Sequence, residues 1–212
     1  MALFKNRKDA GRKLAEQLGE YRNRDDVIVL ALPRGGVPVA AEVADALHVP
    51  MDVFIVRKLG VPGHEELALG AIASGGIRVL NQEVIKELHI SQQSIESLAT
   101  REREELIRRQ QEYRGNRPEP DIQGKTVILV DDGLATGASM YAAVLALRQH
   151  DPAEIVVAVP TASAQTCEAF EDYVEDVVCA TTPEPFYGVG MWYDDFSQTT
   201  DAEVREILAE HY

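Results

Sequence analysis

Two adjacent carboxylates at the end of an apolar run are the most informative chemical feature of the sequence. Residues 127–130 read Val-Ile-Leu-Val, and Asp131 and Asp132 follow them directly. A short apolar run rich in β-branched residues predicts a buried strand, so we expect the two acids at its carboxyl end. Carboxylates in that position can accept hydrogen bonds from sugar hydroxyls or bind a hydrated Mg²⁺ ion.

A small, hydroxyl-rich turn follows the two acids and is suited to bind a phosphate. It consists of Leu134 followed by Ala135, Thr136, Gly137, Ala138 and Ser139, and the next residues have helical spacing. The unpaired N–H groups at a helix N-terminus favour an anion. The segment has neither the lysine of a P-loop nor the three spaced glycines of a dinucleotide-binding turn, so it predicts a sugar-phosphate ligand. The alternative is an ordinary strand-to-helix turn capped by an acid.

The segment 127–139 resembles the phosphoribosyl-pyrophosphate (PRPP) signature of type I phosphoribosyltransferases. The hydrophobic strand, the Asp-Asp pair and the Thr-Gly-Ala-Ser loop are all in register with that signature. The resemblance implies that Asp131 and Asp132 face the ribose hydroxyls, while Ala135 to Ser139 surround the 5′-phosphate. It also implies Mg²⁺ as a cofactor that arrives with PRPP and meets Asp131 and Asp132, in part through water.

A second candidate loop follows the first predicted strand, residues 27–32. Pro33 is followed by Arg34, Gly35 and Gly36, and then by the start of a helix. Glycines allow backbone amides to approach an anion closely, and the arginine adds a positive charge. The segment resembles the pyrophosphate-binding loop of type I phosphoribosyltransferases in position and composition. The alternative is a Pro-Gly turn with Arg34 in solvent.

A third candidate loop begins at Arg57 and Lys58, after a second predicted strand at 51–56. It resembles the start of the flexible catalytic loop of adenine phosphoribosyltransferases, in which an Arg-Lys pair precedes a turn containing Gly and Pro. The resemblance implies that both cations meet the pyrophosphate as it leaves; the alternative is a basic bend at the surface. Glu65 or Glu66, further along the chain, is a candidate general base. The alternative is that both are surface residues.

The residues that would bind the acceptor carry a less specific signal. Ala135 stands where relatives that use hypoxanthine or guanine have an Asp, so the resemblance disfavours that acceptor class. Phe186, Trp192 and Tyr193 belong to an aromatic tail and are candidates for a hood on a planar base, with stacking worth about 1 to 3 kcal/mol. Packing of these rings in a core is the equal alternative. We expect the acceptor to be a nitrogenous base and the reaction to belong to purine salvage, but the sequence does not identify the base.

Alternating strand and helix patterns position these loops. Strands are predicted at 27–32, 51–56, 126–130, 155–159 and 176–180, with helices between them. The pattern predicts an α/β fold similar to that of type I phosphoribosyltransferases, with a five-stranded parallel sheet flanked by helices. The three loops could therefore form one site.

Two segments depart from the repeating pattern. The long connection between the second and third strands contains a predicted β-hairpin around Ser74-Gly75-Gly76 and a charged helix at 92–113. A final helix at 201–211 follows the aromatic tail, with Thr200 or Asp201 as its cap. We expect one domain over 1–212, with a core at about 7–57 and 121–182, an insertion at 58–120 and a hood-like tail at 183–212.

Charge and composition exclude several classes of protein. The chain has 212 residues and a formal net charge of −14, which argues against a nucleic-acid partner because phosphate backbones need a basic surface. No apolar run approaches the roughly 18 residues of a membrane span, and the N-terminus lacks the apolar segment of a signal peptide. We expect a cytoplasmic protein without a membrane partner, in which Cys167 and Cys179 are reduced core thiols.

Together these features favour a Mg²⁺-dependent phosphoribosyltransferase that moves the 5-phosphoribosyl group from PRPP to a nitrogenous base and releases pyrophosphate. The main alternative is a non-catalytic regulator of the same fold that binds PRPP or a nucleotide. A less favoured alternative is an enzyme with a different phosphoribosyl chemistry, such as hydrolysis or phosphorolysis. Relatives in the resembled family commonly dimerise, which implies a homodimer. The helix at 92–113 could provide the dimer surface or support a lid.

Overall fold

The fold consists of two β-sheets connected and covered by helices, seen in a computed structural model that describes residues 2–211 apart from the side chain of Glu66. The strands are β1 (Val27–Ala31), β2 (Met51–Val53), β3 (Val56–Val61), β4 (His64–Ala73), β5 (Ile77–Leu80), β6 (Thr126–Val130), β7 (Glu154–Thr161) and β8 (Asp176–Thr181). The helices are α1 (Arg7–Ala15), α2 (Gly36–Leu47), α3 (Gln82–Glu87), α4 (Gln92–Tyr113), α5 (Ala138–Leu147), α6 (Ala164–Phe170) and α7 (Asp201–Glu210).

Five strands form a parallel sheet in the order β2-β1-β6-β7-β8, which confirms the predicted α/β fold with its flanking helices. Every residue of β1 and β6 is buried, as expected when crossover helices cover both faces of a parallel sheet. In the ladder between these two strands, Ala31 lies opposite Val130. The chain segments that follow β1 and β6 therefore leave the sheet side by side.

A smaller antiparallel sheet, in the order β3-β4-β5, contains the predicted hairpin around Ser74-Gly75-Gly76. The expectation that a loop starts at Arg57 and Lys58 is wrong, because both residues lie in β3 and pair with β4; the catalytic role implied by the resemblance stays a prediction. Leu59 and Val61 alternate into the core, as is typical of a strand, and the turn formed by Pro62 and Gly63 comes only after Val61. The strand predicted at 51–56 accordingly ends at Val53.

Helix ends follow local capping signals. The long helix α4 has the predicted bounds and begins after Ser91, whose side chain accepts a hydrogen bond from the Ser94 amide. Thr200 caps α7 in a reciprocal arrangement with Glu203, as its sequence indicates. Within residues 2–211, no helix is both long and apolar enough to cross a membrane.

The two cysteines form a disulfide, so the expectation that Cys167 and Cys179 are reduced thiols is wrong. Cys167 lies in α6 and Cys179 in β8, and both pack at the margin of the core formed around β6 and β7. They are 12 residues apart in the chain and are brought together because β8 returns along the sheet beneath α6. The predicted helix and strand anticipate that return, but the sequence spacing does not show that the two sulfur atoms meet.

Candidate active site

The site is centred on Asp131 and Asp132, which directly follow β6. Asp131 Oδ1 accepts a hydrogen bond from the Asp132 N–H at 2.8 Å, and Asp132 Oδ2 accepts one from Arg7 Nε, also at 2.8 Å. Burial, and then the neighbouring charge of Asp132, raises the pKa of Asp131 well above its usual range. Burial also raises the pKa of Asp132, although Arg7 opposes that shift. Two buried, adjacent acids favour a ligand that supplies hydroxyl donors or positive charge.

Arg7, from the first turn of α1, is a component of the site that the sequence analysis missed. Its guanidinium donates to Asp132 Oδ2, donates to the Ser197 carbonyl at 2.6 Å and lies 4.1 Å from the centre of the Phe196 ring. The Arg7 side chain is only 12% exposed, so its charge is held against Asp132 and is poorly screened. The only sequence signal for it is indirect, since adjacent buried acids need a cation.

The predicted phosphate loop packs tightly on α6. Gly137 immediately precedes α5 and has φ of 74°, in the left-handed region. A Cβ atom at this position would lie 2.6 Å from Phe170 Cε2, so the close approach also requires glycine. The loop is further tied to α6 by the Thr166 hydroxyl, which donates to the Ala135 carbonyl at 3.4 Å. Helix α6 thus fixes the loop that begins α5.

The loop after β1 is in direct contact with the acidic pair. A Cβ atom at Gly35 would lie 2.1 Å from Asp132 Oδ2, and one at Gly36 would lie 2.9 Å from Asp131 Cα. Only glycine fits at these two positions, which the sequence analysis assigned to pyrophosphate binding. Arg34, which follows a cis peptide bond, lies 3.6 Å from Asp201 Oδ1 in the first turn of α7. The structure therefore brings the glycines to the acids and pairs Arg34 with α7.

A cavity of about 970 Å³ opens beside these loops. Asp131 and Ser139 line it from the side of the parallel sheet, and Arg57, Lys58 and Glu65 line it from the antiparallel sheet. The structure thus brings Asp131, Arg57 and Lys58 to one cavity, whereas Asp132, Arg34, Gly35 and Gly36 are not among the described residues that line it. Helix α4 forms another wall, with the polar side chains of Gln93, Ser94, Ser97, Arg101, Glu102 and Arg109.

The aromatic tail supports the acidic pair from outside the cavity. The Tyr193 hydroxyl donates to the Asp132 carbonyl at 2.6 Å, and its ring packs 5.2 Å from that of Phe4. Trp192 stacks with Phe186 at 6.4 Å between ring centroids. Among the described residues that line the cavity, none comes from the predicted hood of Phe186, Trp192 and Tyr193. Glu66 lies in β4, and its side chain is outside the described part of the chain.

The donor set fits a magnesium ion that is shared with a substrate. In the part of the chain that the structure describes, no group of three or more His, Cys, Asp or Glu side chains could hold a metal. Mg²⁺ is commonly bound by one or two carboxylates together with substrate phosphates and water molecules. Asp131 and Asp132, next to the N-terminus of α5, match that requirement. They would bind the ion jointly with a phosphorylated ligand.

Comparisons with known proteins show what this chain is similar to. The family model described as phosphoribosyl transferase domain matches residues 2–193. Rv0571c of Mycobacterium tuberculosis H37Rv, a candidate phosphoribosyl transferase, is 44% identical over 208 residues, which are 98% of this chain and 47% of the relative. The chain therefore spans about half the length of that curated relative. The crystal structure of TT1426 from Thermus thermophilus is 43% identical, with a TM-score of 0.90, and the match covers 100% of this chain and 99% of that chain.

Proposed function

This chain belongs to the family of phosphoribosyl transferase domains, and on that premise we propose that it transfers the 5-phosphoribosyl group of PRPP to a nitrogenous base. The observation that carries the proposal is the contact between the acidic pair after β6 and the glycine loop after β1; the loop that begins α5 follows the acidic pair directly in the chain. Asp131 and Ser139 from these segments line one cavity. Carboxylates and the backbone N–H groups of a helix N-terminus suit a ribose and its phosphates.

Each part of PRPP would have its own contacts. Asp131 and Asp132 would accept hydrogen bonds from the ribose hydroxyls, and residues 135–139 would surround the 5′-phosphate at the N-terminus of α5. Arg57 and Lys58, on the cavity wall, would contact the pyrophosphate together with the Gly35-Gly36 backbone. Mg²⁺, bound by the two aspartates and the substrate, would neutralise phosphate charge.

The reaction breaks the bond between the anomeric carbon and the pyrophosphate oxygen, and the electron pair leaves with pyrophosphate. A lone pair on the acceptor nitrogen forms the new bond to that carbon, through a transition state with oxocarbenium character. The carboxylates of Asp131 and Asp132 would stabilise the developing positive charge, while the cations of β3 would receive the negative leaving group. A proton lost from the acceptor would go to a hairpin carboxylate, for which Glu65, on the cavity wall, and Glu66 are the two candidates.

The experiment that tests this function is a panel of acceptors. The protein is incubated with Mg²⁺, PRPP and, in turn, adenine, guanine, hypoxanthine, xanthine, uracil or orotate, and pyrophosphate release is measured. We expect release with one base of the panel, a purine other than hypoxanthine or guanine. PRPP binding without release from any base would instead support the regulatory alternative.

A paired variant tests the site itself. Asp131→Asn with Asp132→Asn should abolish PRPP binding in calorimetry, because the neutral amides cannot bind Mg²⁺ or accept ribose hydrogen bonds as strongly. The matched control is Asp25→Asn with Asp26→Asn, a second adjacent pair that is exposed at the surface. The control should bind PRPP as the wild type does. Unchanged affinity in the Asp131 and Asp132 double variant would disprove the assignment.

A further inference from the structure

Glu102 of α4 neutralises the arginine that the proposed function assigns to the pyrophosphate. Arg57 donates to Glu102 Oε2 from Nε at 2.9 Å and from Nη2 at 2.6 Å. The other carboxylate oxygen, Oε1, lies 3.4 Å from Arg101 Nε. All three side chains line the main cavity. Glu102 thus pairs with two arginines on the cavity wall.

Glu102 is more buried than the other acids of α4 that form ion pairs, Glu96, Glu105 and Glu112. The Glu102 side chain is 13% exposed, whereas Glu96, which pairs with Arg78 on the same helix, is 54% exposed. Exposed pairs contribute little because water screens them, but a desolvated charge depends strongly on its partner. Glu102 therefore fixes the Arg57 side chain on the wall of the cavity that the proposed substrate would enter.

A pyrophosphate group and Glu102 would compete for the same donors. The guanidinium fork of arginine matches both carboxylate and phosphate oxygens, and Arg57 directs two of its N–H groups to one oxygen of Glu102. A polyphosphate bound to Arg57 would also be repelled by the Glu102 carboxylate on the same wall.

We propose that Glu102 is a positioning residue that holds Arg57 before substrate binds, gives it up to the pyrophosphate group, and recovers it when pyrophosphate leaves. The inference rests on the proposed function, since it requires that pyrophosphate binds at Arg57. Its consequence is that Glu102 weakens pyrophosphate binding and speeds product release. Replacing Glu102 should therefore tighten pyrophosphate binding, whereas replacing a residue with only a structural role would weaken it.

The test compares two ligands that probe different parts of the site. Inorganic pyrophosphate with Mg²⁺ reports on Arg57, and ribose 5-phosphate reports on residues 131–139. Glu102→Gln keeps the size of the side chain and removes its charge, so it should bind pyrophosphate about tenfold more tightly, the scale of one charge-assisted hydrogen bond. Its affinity for ribose 5-phosphate should equal that of the wild type. Glu96→Gln is the matched control and should change neither affinity.

Each outcome of the calorimetry has a defined meaning. Equal or weaker pyrophosphate binding by Glu102→Gln, with ribose 5-phosphate binding intact, would overturn the role of Glu102 and leave the proposed function standing. If the wild type bound neither ligand, the proposed function would fail, and this inference with it. Should Glu102→Gln not fold in a thermal unfolding control, Glu102→Asp replaces it. The shorter side chain cannot keep both contacts to Arg57, so tighter pyrophosphate binding is again expected and weaker binding again refutes the role.

Discussion

Gly137→Ala tests the phosphate loop most directly, because two separate features require glycine at this position. The residue has φ of 74°, and its missing Cβ would lie 2.6 Å from Phe170 Cε2 and 3.2 Å from Phe170 Cζ. The first feature is a property of the backbone, and the second is a contact with α6. A control variant can separate them.

The expected loss of stability follows from these two contributions. A left-handed conformation costs an L-residue about 1 to 2 kcal/mol, and overpacking against a buried ring costs about 1 to 3 kcal/mol more. The free energy of unfolding should therefore fall by about 2 to 5 kcal/mol. For a chain of this size, the fall corresponds to a decrease in Tm of roughly 4 to 20 °C.

The matched control is Gly124→Ala, which has φ of 68° and no atom within 4 Å of its added Cβ. It should lose only the backbone contribution, about 1 to 2 kcal/mol. Thermal unfolding compares the two variants, and calorimetry with ribose 5-phosphate measures the ligand. Gly137→Ala should bind this ligand more weakly, because the added methyl group pushes the loop away from α6, while Gly124→Ala should bind it normally.

A double-mutant cycle with Phe170→Leu identifies the source of the extra cost. The smaller, more flexible side chain can move away from the new methyl group, so Gly137→Ala should cost less in this background. An equal cost for Gly137→Ala and Gly124→Ala in the wild-type background would refute the packing of the loop on α6. So would unchanged ribose 5-phosphate affinity in a folded Gly137→Ala variant.

Two further perturbations test the charges. The pKa of Asp131 is higher in the folded state than in the unfolded state, so ionisation of this residue disfavours folding. Stability is therefore lost as pH rises from the unfolded-state pKa through the folded-state pKa. Without ligand or metal, the Tm of Asp131→Asn minus that of the wild type should therefore increase as pH rises between these two pKa values and stay constant at higher pH. A difference in Tm that decreases as pH rises would contradict the raised pKa. Asp52→Ala should lower stability by about 3 to 5 kcal/mol, because Asp52 and Arg114 form a 3.1 Å ion pair with side chains only 7% and 3% exposed. Asp26→Ala, from the exposed pair with Arg24, is its control and should cost far less, because water screens an exposed ion pair; equal denaturation curves for both variants would contradict this account.

Sequence patterns located the central part of the site because its members are consecutive in the chain. The strand of residues 126–130, the acidic pair and the turn before α5 form one continuous segment, so apolar periodicity and helix-start signals describe it well. The parallel order of β1 and β6 follows from the alternation of strands and helices. The same patterns were insufficient for Arg57 and Lys58, where turn-forming residues suggested a loop and the pairing with β4 produced a strand.

The sequence by itself therefore determined the fold class, the five-stranded parallel sheet and the identity of the acidic pair and its adjoining turn. Tertiary structure alone decided which cation meets which acid: Arg7 reaches Asp132 across 125 residues, and Arg57 reaches Glu102 across 45. It also decided that the cysteines are joined and that the aromatic tail lies behind the acids. The physical reason is that hydrogen bonding and periodicity within an element act over a few residues, whereas partners of buried charges are set by how elements pack.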